Sequence, residues 1–164
     1  MKELKTGFWS RYFVLFFLSV FLIRCFLIDV MLVKGSSMKG LYDDGDMVLI
    51  TKICDVEMIK RYDVVIIKRD DVLFDRYFVK RVIGLPGESI QIRDGIIFIN
   101  GNPLDDMADK VEYSGIASSE LYLGEDGFFL LGDNSSESQD SRYEWFGIVK
   151  ASQIVAKPIC VVWG

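Results

Sequence analysis

One segment limits the fold of this chain more than any other. Phe13 to Ile23 reads F-V-L-F-F-L-S-V-F-L-I, eleven positions without a charge. A run this apolar on every side has to enter a large core, be removed, or lie in lipid. Trp9 and Tyr12 stand at its start, where interfacial aromatics are expected, and Arg24 interrupts it before Cys25–Ile28. Spanning a bilayer takes about 20 apolar residues. Phe8 to Ile28 reaches that length if Arg11 and Arg24 snorkel to the two edges. A cleaved leader would need a small-x-small site after the run, and Arg24, Cys25 and Phe26 supply none. A buried helix of a soluble protein fits poorly with an arginine at each end. The expectation is one N-terminal transmembrane helix. Lys2, Lys5 and Arg11 against Glu3 place its N-terminus in the cytoplasm. Residues 1–28 would then be cytoplasmic tail and anchor, and residues 29–164 an extracytoplasmic domain at the plasma membrane.

The charge divides at the same place. Residues 1–34 hold five Lys/Arg and two acids, whereas residues 35–164 hold 14 Lys/Arg and 22 acids. An acidic body argues against a nucleic-acid partner and a basic apolar leader favours a lipid one. The body reads as short apolar runs separated by turn residues: Val30–Val33, Met47–Ile50, Val64–Ile67, Phe78–Ile83, Phe128–Leu131 and Ile159–Trp163. Ile90-Gln91-Ile92 alternates, and Asp94-Gly95 then joins it to Ile96–Ile99 as a hairpin, followed by a turn at Asn100-Gly101. Asp55–Arg61 and Ser118–Leu121 look briefly helical, and 102–127 reads as a polar loop excursion. The expected fold class is mostly β, an antiparallel, barrel-like sheet domain on a single-helix anchor.

The 164 residues include no histidine. Triads that rely on imidazole are excluded, as are imidazole metal sites. Three separated cysteines, Cys25, Cys54 and Cys160, form no C-x-x-C pair and suggest no zinc site; a bridge between Cys54 and Cys160 stays open. No metal and no cofactor is implied. A histidine-free hydrolase can pair a serine nucleophile with a neutral lysine, provided burial lowers the lysine pKa from about 10.4. Lys80 fits. In Tyr77-Phe78-Val79-Lys80-Arg81-Val82-Ile83, alternation puts it on the face of Phe78 and Val82. Lys68, beside Arg69 and Asp70, looks solvated. An ion-paired or snorkelling Lys80 is the ordinary alternative. Ser36, Ser37, Ser135, Ser136, Ser138 and Ser141 all remain candidate hydroxyls on pattern alone.

Several motifs together resemble the bacterial type I signal peptidases, in a short Gram-positive-like form. Ile23–Leu27 resembles the junction of anchor and domain. Gly35-Ser36-Ser37-Met38 resembles the nucleophile box, and Gly45–Ile50 the next strand. Phe78–Glu88 resembles the lysine box. Gly132-Asp133-Asn134, Ser138-Gln139-Asp140-Ser141-Arg142 and Gly147 resemble the last box. The resemblance implies a membrane serine endopeptidase that cleaves preprotein signal peptides after small-x-small sites. It implies Ser37 as nucleophile and oxyanion donor through its backbone N–H, Lys80 as general base, Ser138 orienting the amine, and Asp140 with Arg142 as a supporting ion pair. Val33, Met38 and Val79 would line the small substrate pockets, or simply pack in the core. Asp133 and Asn134 would set a turn. Trp145 and Phe146 would touch either the membrane surface or the core.

The chain also departs from the family. Gly40-Leu41 stands where Pro-Thr is usual, Ser135 replaces an arginine and Tyr62 replaces a common glycine, whereas Gly35, which offers no hydroxyl for a second oxyanion donor, resembles the Gram-positive-type members. A loop without the proline is expected to be less rigid. These losses motivate an alternative, a specialised or non-enzymatic accessory factor for surface-protein assembly; retention of Ser37 and Lys80 counts against it. A self-cleaving repressor would need a DNA-binding module where the apolar run lies. A lysine base also places the activity optimum on the alkaline side of neutral.

Overall fold

The computed structural model describes residues 3–52, 55–69, 76–104 and 111–164, with side chains except at 3–9, 23, 25 and 76. Helix α1 (Glu3–Phe26) carries the apolar run. It meets the rest of the chain at strand β1 (Ile28–Leu32), where Arg24 pairs with Asp29 at 3.4 Å. Its middle is exposed: Phe13, Phe16 and Phe21 each keep more than 60% of their surface open. Among the described residues, no helix is long and apolar enough to cross a membrane. The uncharged run Tyr12–Ile23 between Arg11 and Arg24 extends about 18 Å at 1.5 Å per residue.

The body is antiparallel β. Strands β2 (Met47–Thr51), β3 (Val64–Arg69) and β4 (Arg76–Gly84) come first, then β5 (Ser89–Arg93), β6 (Ile96–Ile99) and β7 (Asn102–Pro103). Strands β8 (Leu121–Tyr122), β9 (Gly127–Leu131), β10 (Val149–Lys150) and β11 (Ile154–Trp163) complete it. Seven strands form one sheet in the order β1-β2-β11-β3-β4-β9-β10, and four form a second in the order β7-β6-β5-β8. The turn at Asp94-Gly95 has φ of 52° and 78°, which suits the hairpin expected there.

Each apolar run of the sequence became a strand, with differences at the ends. β11 begins five residues before the expected Ile159. Its first part pairs with β3 and its second, from Lys157, with β2, with the register shifting after Pro158. Pro158 has no N–H to donate, so a break in the ladder there is natural. The helical expectation at Asp55–Arg61 is a 3₁₀ turn at Val56–Met58; the one at Ser118–Leu121 is not met, since a 3₁₀ turn ends at Ser118 and Leu121 opens β8. The polar excursion contains β7 and β8, which hydrogen-bond to β6 and β5. Arg69, expected beside solvated Lys68, is instead buried; it donates to the carbonyls of Trp145 and Phe146 and lies over the Phe146 ring. Cys160 is exposed, and Cys54 lies outside the described residues.

Three apolar clusters hold the strands together. One, around Ile83, Ile90, Ile92 and Phe129, joins the two sheets. A second gathers Val65, Ile67, Val82, Phe128 and Phe146. The third gathers Val33, Met38, Val48, Ile50, Ile66 and Ala156 beneath the segment that carries Ser37. Each large buried side chain contributes about 1.5–3 kcal/mol by leaving water.

Candidate active site

Lys80 lies mid-strand in β4, opposite Val65 of β3. Alternation works as the pattern requires: Phe78 and Val82 enter the second cluster, while Val79 enters the third. Lys80 is 2% exposed. Its surroundings remove the water that would solvate an ammonium, and this burial pushes its pKa down to about 8. The Asp140 carboxylate opposes that shift, Arg142 reinforces it and Asp133 opposes it. Lys80 Nζ donates to Ser138 Oγ at 3.1 Å. Among the described residues no hydrogen bond joins it directly to the Ser37 hydroxyl.

Ser138 belongs to a buried polar group that satisfies itself. Arg142 grips Asp140 with two bonds, Nε to Oδ1 at 2.8 Å and Nη2 to Oδ2 at 2.9 Å. Asp140 also accepts the Gly132 N–H, and Arg142 reaches the carbonyls of Ser135 and Ser138. Asp140 and Arg142 are at most 1% exposed. A two-bond fork in a dry site is the geometry in which such a pair holds its place. The position of Ser135 therefore contributes through its carbonyl, which any residue possesses.

Ser37 opens a turn after β1. Its carbonyl accepts from Asn134 N at 3.0 Å, and the Ser36 carbonyl accepts from Asn134 Nδ2 at 3.1 Å. The Ser36 hydroxyl donates to the Glu137 carboxylate. Gly132 marks where the parts converge. A methyl group there would lie 2.2 Å from Ser138 Oγ and 2.5 Å from the Ser37 carbonyl oxygen, so both press on the same point of the chain. Sequence reasoning named Ser36 as a candidate hydroxyl and Gly132 in the last box without assigning either a contact, missed Glu137, and gave Asn134 only a turn. No local pattern shows that residues about 100 positions apart share a bond. Asp133 also does more than shape the turn, since it forms a two-bond ion pair with Arg81 at 2.7 and 2.6 Å.

A cleft of about 650 Å³ lies beside Ser37. Its walls are residues 31–35 and 77–79, so Val33, Met38 and Val79 all line it with Ser37. Both walls are strand edges. β1 bonds to β2 alone, and β4 acquires its β9 partners only from Arg81 onward. Trp145 is exposed, and Phe146 is buried against Phe78, as the core expectation has it.

Gly40 carries a correction. Its φ is +98°, which a proline ring cannot adopt. A proline at this position would need another backbone path; here the turn is closed by Tyr42 N–H to the Met38 carbonyl at 2.8 Å. Tyr62 sits at φ +73°, the left-handed region that glycine would occupy without strain.

The sequence matches the family described as signal peptidase, peptidase S26, over residues 7–163. A signal peptidase I of Bacillus licheniformis is 33% identical over 144 residues, covering 82% of this chain and 76% of that protein. Signal peptidase I T of Bacillus subtilis strain 168 is 32% identical over 157 residues, covering 90% and 80%. A crystal structure of a signal peptidase I from Enterococcus faecalis V583 aligns at 28% identity with a TM-score of 0.49, covering 65% of this chain and all of that one. With a family match across nearly its whole length and relatives at about a third identity, this chain belongs to the signal peptidase family, peptidase S26.

Proposed function

We propose that the chain is a membrane-bound serine endopeptidase that removes signal peptides from preproteins, with Ser37 as nucleophile and Lys80 as general base. The observation that carries this reading is Lys80 itself: an amine without solvent, lowered to about 8 and bonded to Ser138, in the strand that walls the Ser37 cleft. A lysine with that pKa is partly neutral near pH 8 and can take a hydroxyl proton. The Ser37 oxygen attacks the scissile carbonyl as its proton passes to Lys80. The Ser37 N–H stabilises the oxyanion. Lys80 then gives the proton to the leaving amine, and an acyl-enzyme remains until water, deprotonated by Lys80, releases the signal peptide. Ser138 holds the amine on course, and Asp140 with Arg142 holds Ser138. Catalytic hydrogen bonds commonly tighten as substrate binds, which fits a Lys80 bonded to Ser138 beside the Ser37 cleft.

The substrate adds a strand between the open edges of β1 and β4, with small side chains directed at Val33, Met38 and Val79. Residues 1–28 form the anchor and residues 29–164 the extracytoplasmic catalytic domain. The bare aromatic surface of α1 supports lipid contact, and Arg11 and Arg24 extend its reach by snorkelling.

The test uses the full chain in lipid vesicles and a preprotein ending in Ala-x-Ala. Ser37→Ala should abolish cleavage, and Lys80→Ala should slow it about a thousandfold. Parent-like cleavage by either variant would sink the dyad. No cleavage by the parent, with cellular function rescued by Ser37→Ala, would favour the accessory-factor alternative instead.

A further inference from the structure

A second cavity, of about 420 Å³, lies on the same inner face of the large sheet, toward the end nearest α1. This volume is in the range of pockets that hold small ligands or side chains. Met31 and Tyr77 line both this cavity and the Ser37 cleft, so the two adjoin at that pair. Ile50 and Ile66 supply an apolar floor. At the far rim Asp29 and Lys52 form an ion pair of 2.9 Å. Arg24 also reaches Asp29, at 3.4 Å, so the carboxylate at the rim is paired with two cations, and the Lys52 hydrogen bond is the first cause of its lowered pKa.

We infer that this cavity is a subsite for an apolar side chain at the fifth residue before the scissile bond, and that it adds a specificity determinant beyond the small pockets. The inference rests on the Ser37/Lys80 reading and on the strand-like pose of the substrate. Asp29, Met31 and Val33 are alternate residues, so they share one face of β1 and its extension. A substrate strand laid along that edge likewise presents alternate residues to one side. If its first and third residues before the cut meet Val33, Met38 and Val79, its fifth arrives two positions further along. That is about 7 Å away at 3.3 Å per residue, beside Met31 and Tyr77. The fourth faces the other way. An aliphatic side chain suits the floor, because a charged one would lose its water beside a rim whose charges are already satisfied.

The experiment compares preproteins with an identical Ala-x-Ala site and either Leu or Ala at the fifth residue before the cut, using the full chain in vesicles. A matched pair carries the same change at the fourth residue. Leu at the fifth position should raise kcat/KM at least about tenfold over Ala, as a buried aliphatic group does. The change at the fourth position should have much less effect. Ala156→Leu, which fills the cavity floor, should collapse the fifth-position ratio toward one. Equal preference at the two positions in the parent enzyme overturns the subsite while leaving the peptidase reading intact. Failure of the parent to cut any of these substrates overturns the peptidase reading and the subsite with it.

Discussion

The lysine side and the serine side of the site are built in opposite ways. Lys80, Ser138, Asp140 and Arg142 are all at least 98% buried and bonded to one another or to backbone. Ser36 to Leu41 form a turn at the surface, held by two bonds from Asn134 and one to Glu137. The contrast follows from chemistry. A base must be dehydrated to be neutral, so it has to be fixed inside the fold. A nucleophile must meet a substrate strand, so it has to face a cleft. Burial on the first side is preorganisation, and exposure to the cleft on the second is access.

The comparison can be broken most directly at the two reacting groups. Lys80→Met should lower kcat by about a thousandfold or more while the far-ultraviolet circular dichroism spectrum stays unchanged, since methionine fits an apolar slot. The next effect concerns the buried ion pair. Asp140→Asn leaves Arg142 charged without its carboxylate and should destabilise the fold by about 3–5 kcal/mol in urea titrations. Asp140 opposes the Lys80 shift, so the same variant should move the acid limb of the pH–rate profile below about 8. An acid limb that moves upward would show that Asp140 does not act on Lys80.

Stability should also depend on pH through Lys80. Below about 8 both folded and unfolded chains hold the proton, and the folded state carries the whole cost of a buried ammonium, on the order of 3 kcal/mol. Between about 8 and the ordinary value of 10.5 only the unfolded chain binds the proton, so this contribution improves as pH rises. The slope should vanish in Lys80→Met; the same slope in both proteins would assign it to other groups. On the serine side the effects are smaller. Gly40→Pro should destabilise by more than about 1 kcal/mol and lower kcat, because φ of +98° is closed to proline. A gain in stability would mean that the turn can adopt the proline-bearing path. Smallest of all, Glu137→Ala should lower kcat only about two- to tenfold with KM unchanged, and Glu137→Gln, which still accepts from Ser36, should restore most of it.

Much of this was legible in the order of residues. Period-two alternation placed Lys80 among apolar neighbours, and Asp94-Gly95 specified its hairpin, because both depend on contacts only a few residues long. The limits of β11 were not legible, since Ile154–Pro158 is defined by partners on β3 and β2 some 90 to 110 positions earlier. The link from Ser36 to Glu137, the burial of Arg69 and the Arg81–Asp133 pair were hidden for the same reason.

The sequence alone determined the chemistry available to this protein. Without histidine a base must come from elsewhere, and the proposed mechanism takes it from a lysine flanked by apolar residues in a strand. Tertiary structure decided that the Ser138 hydroxyl reaches that lysine and where the cleft beside Ser37 opens. Those outcomes depend on long-range strand pairing that brings β1, β4 and the 132–142 segment to one place, and no local spacing encodes that closure.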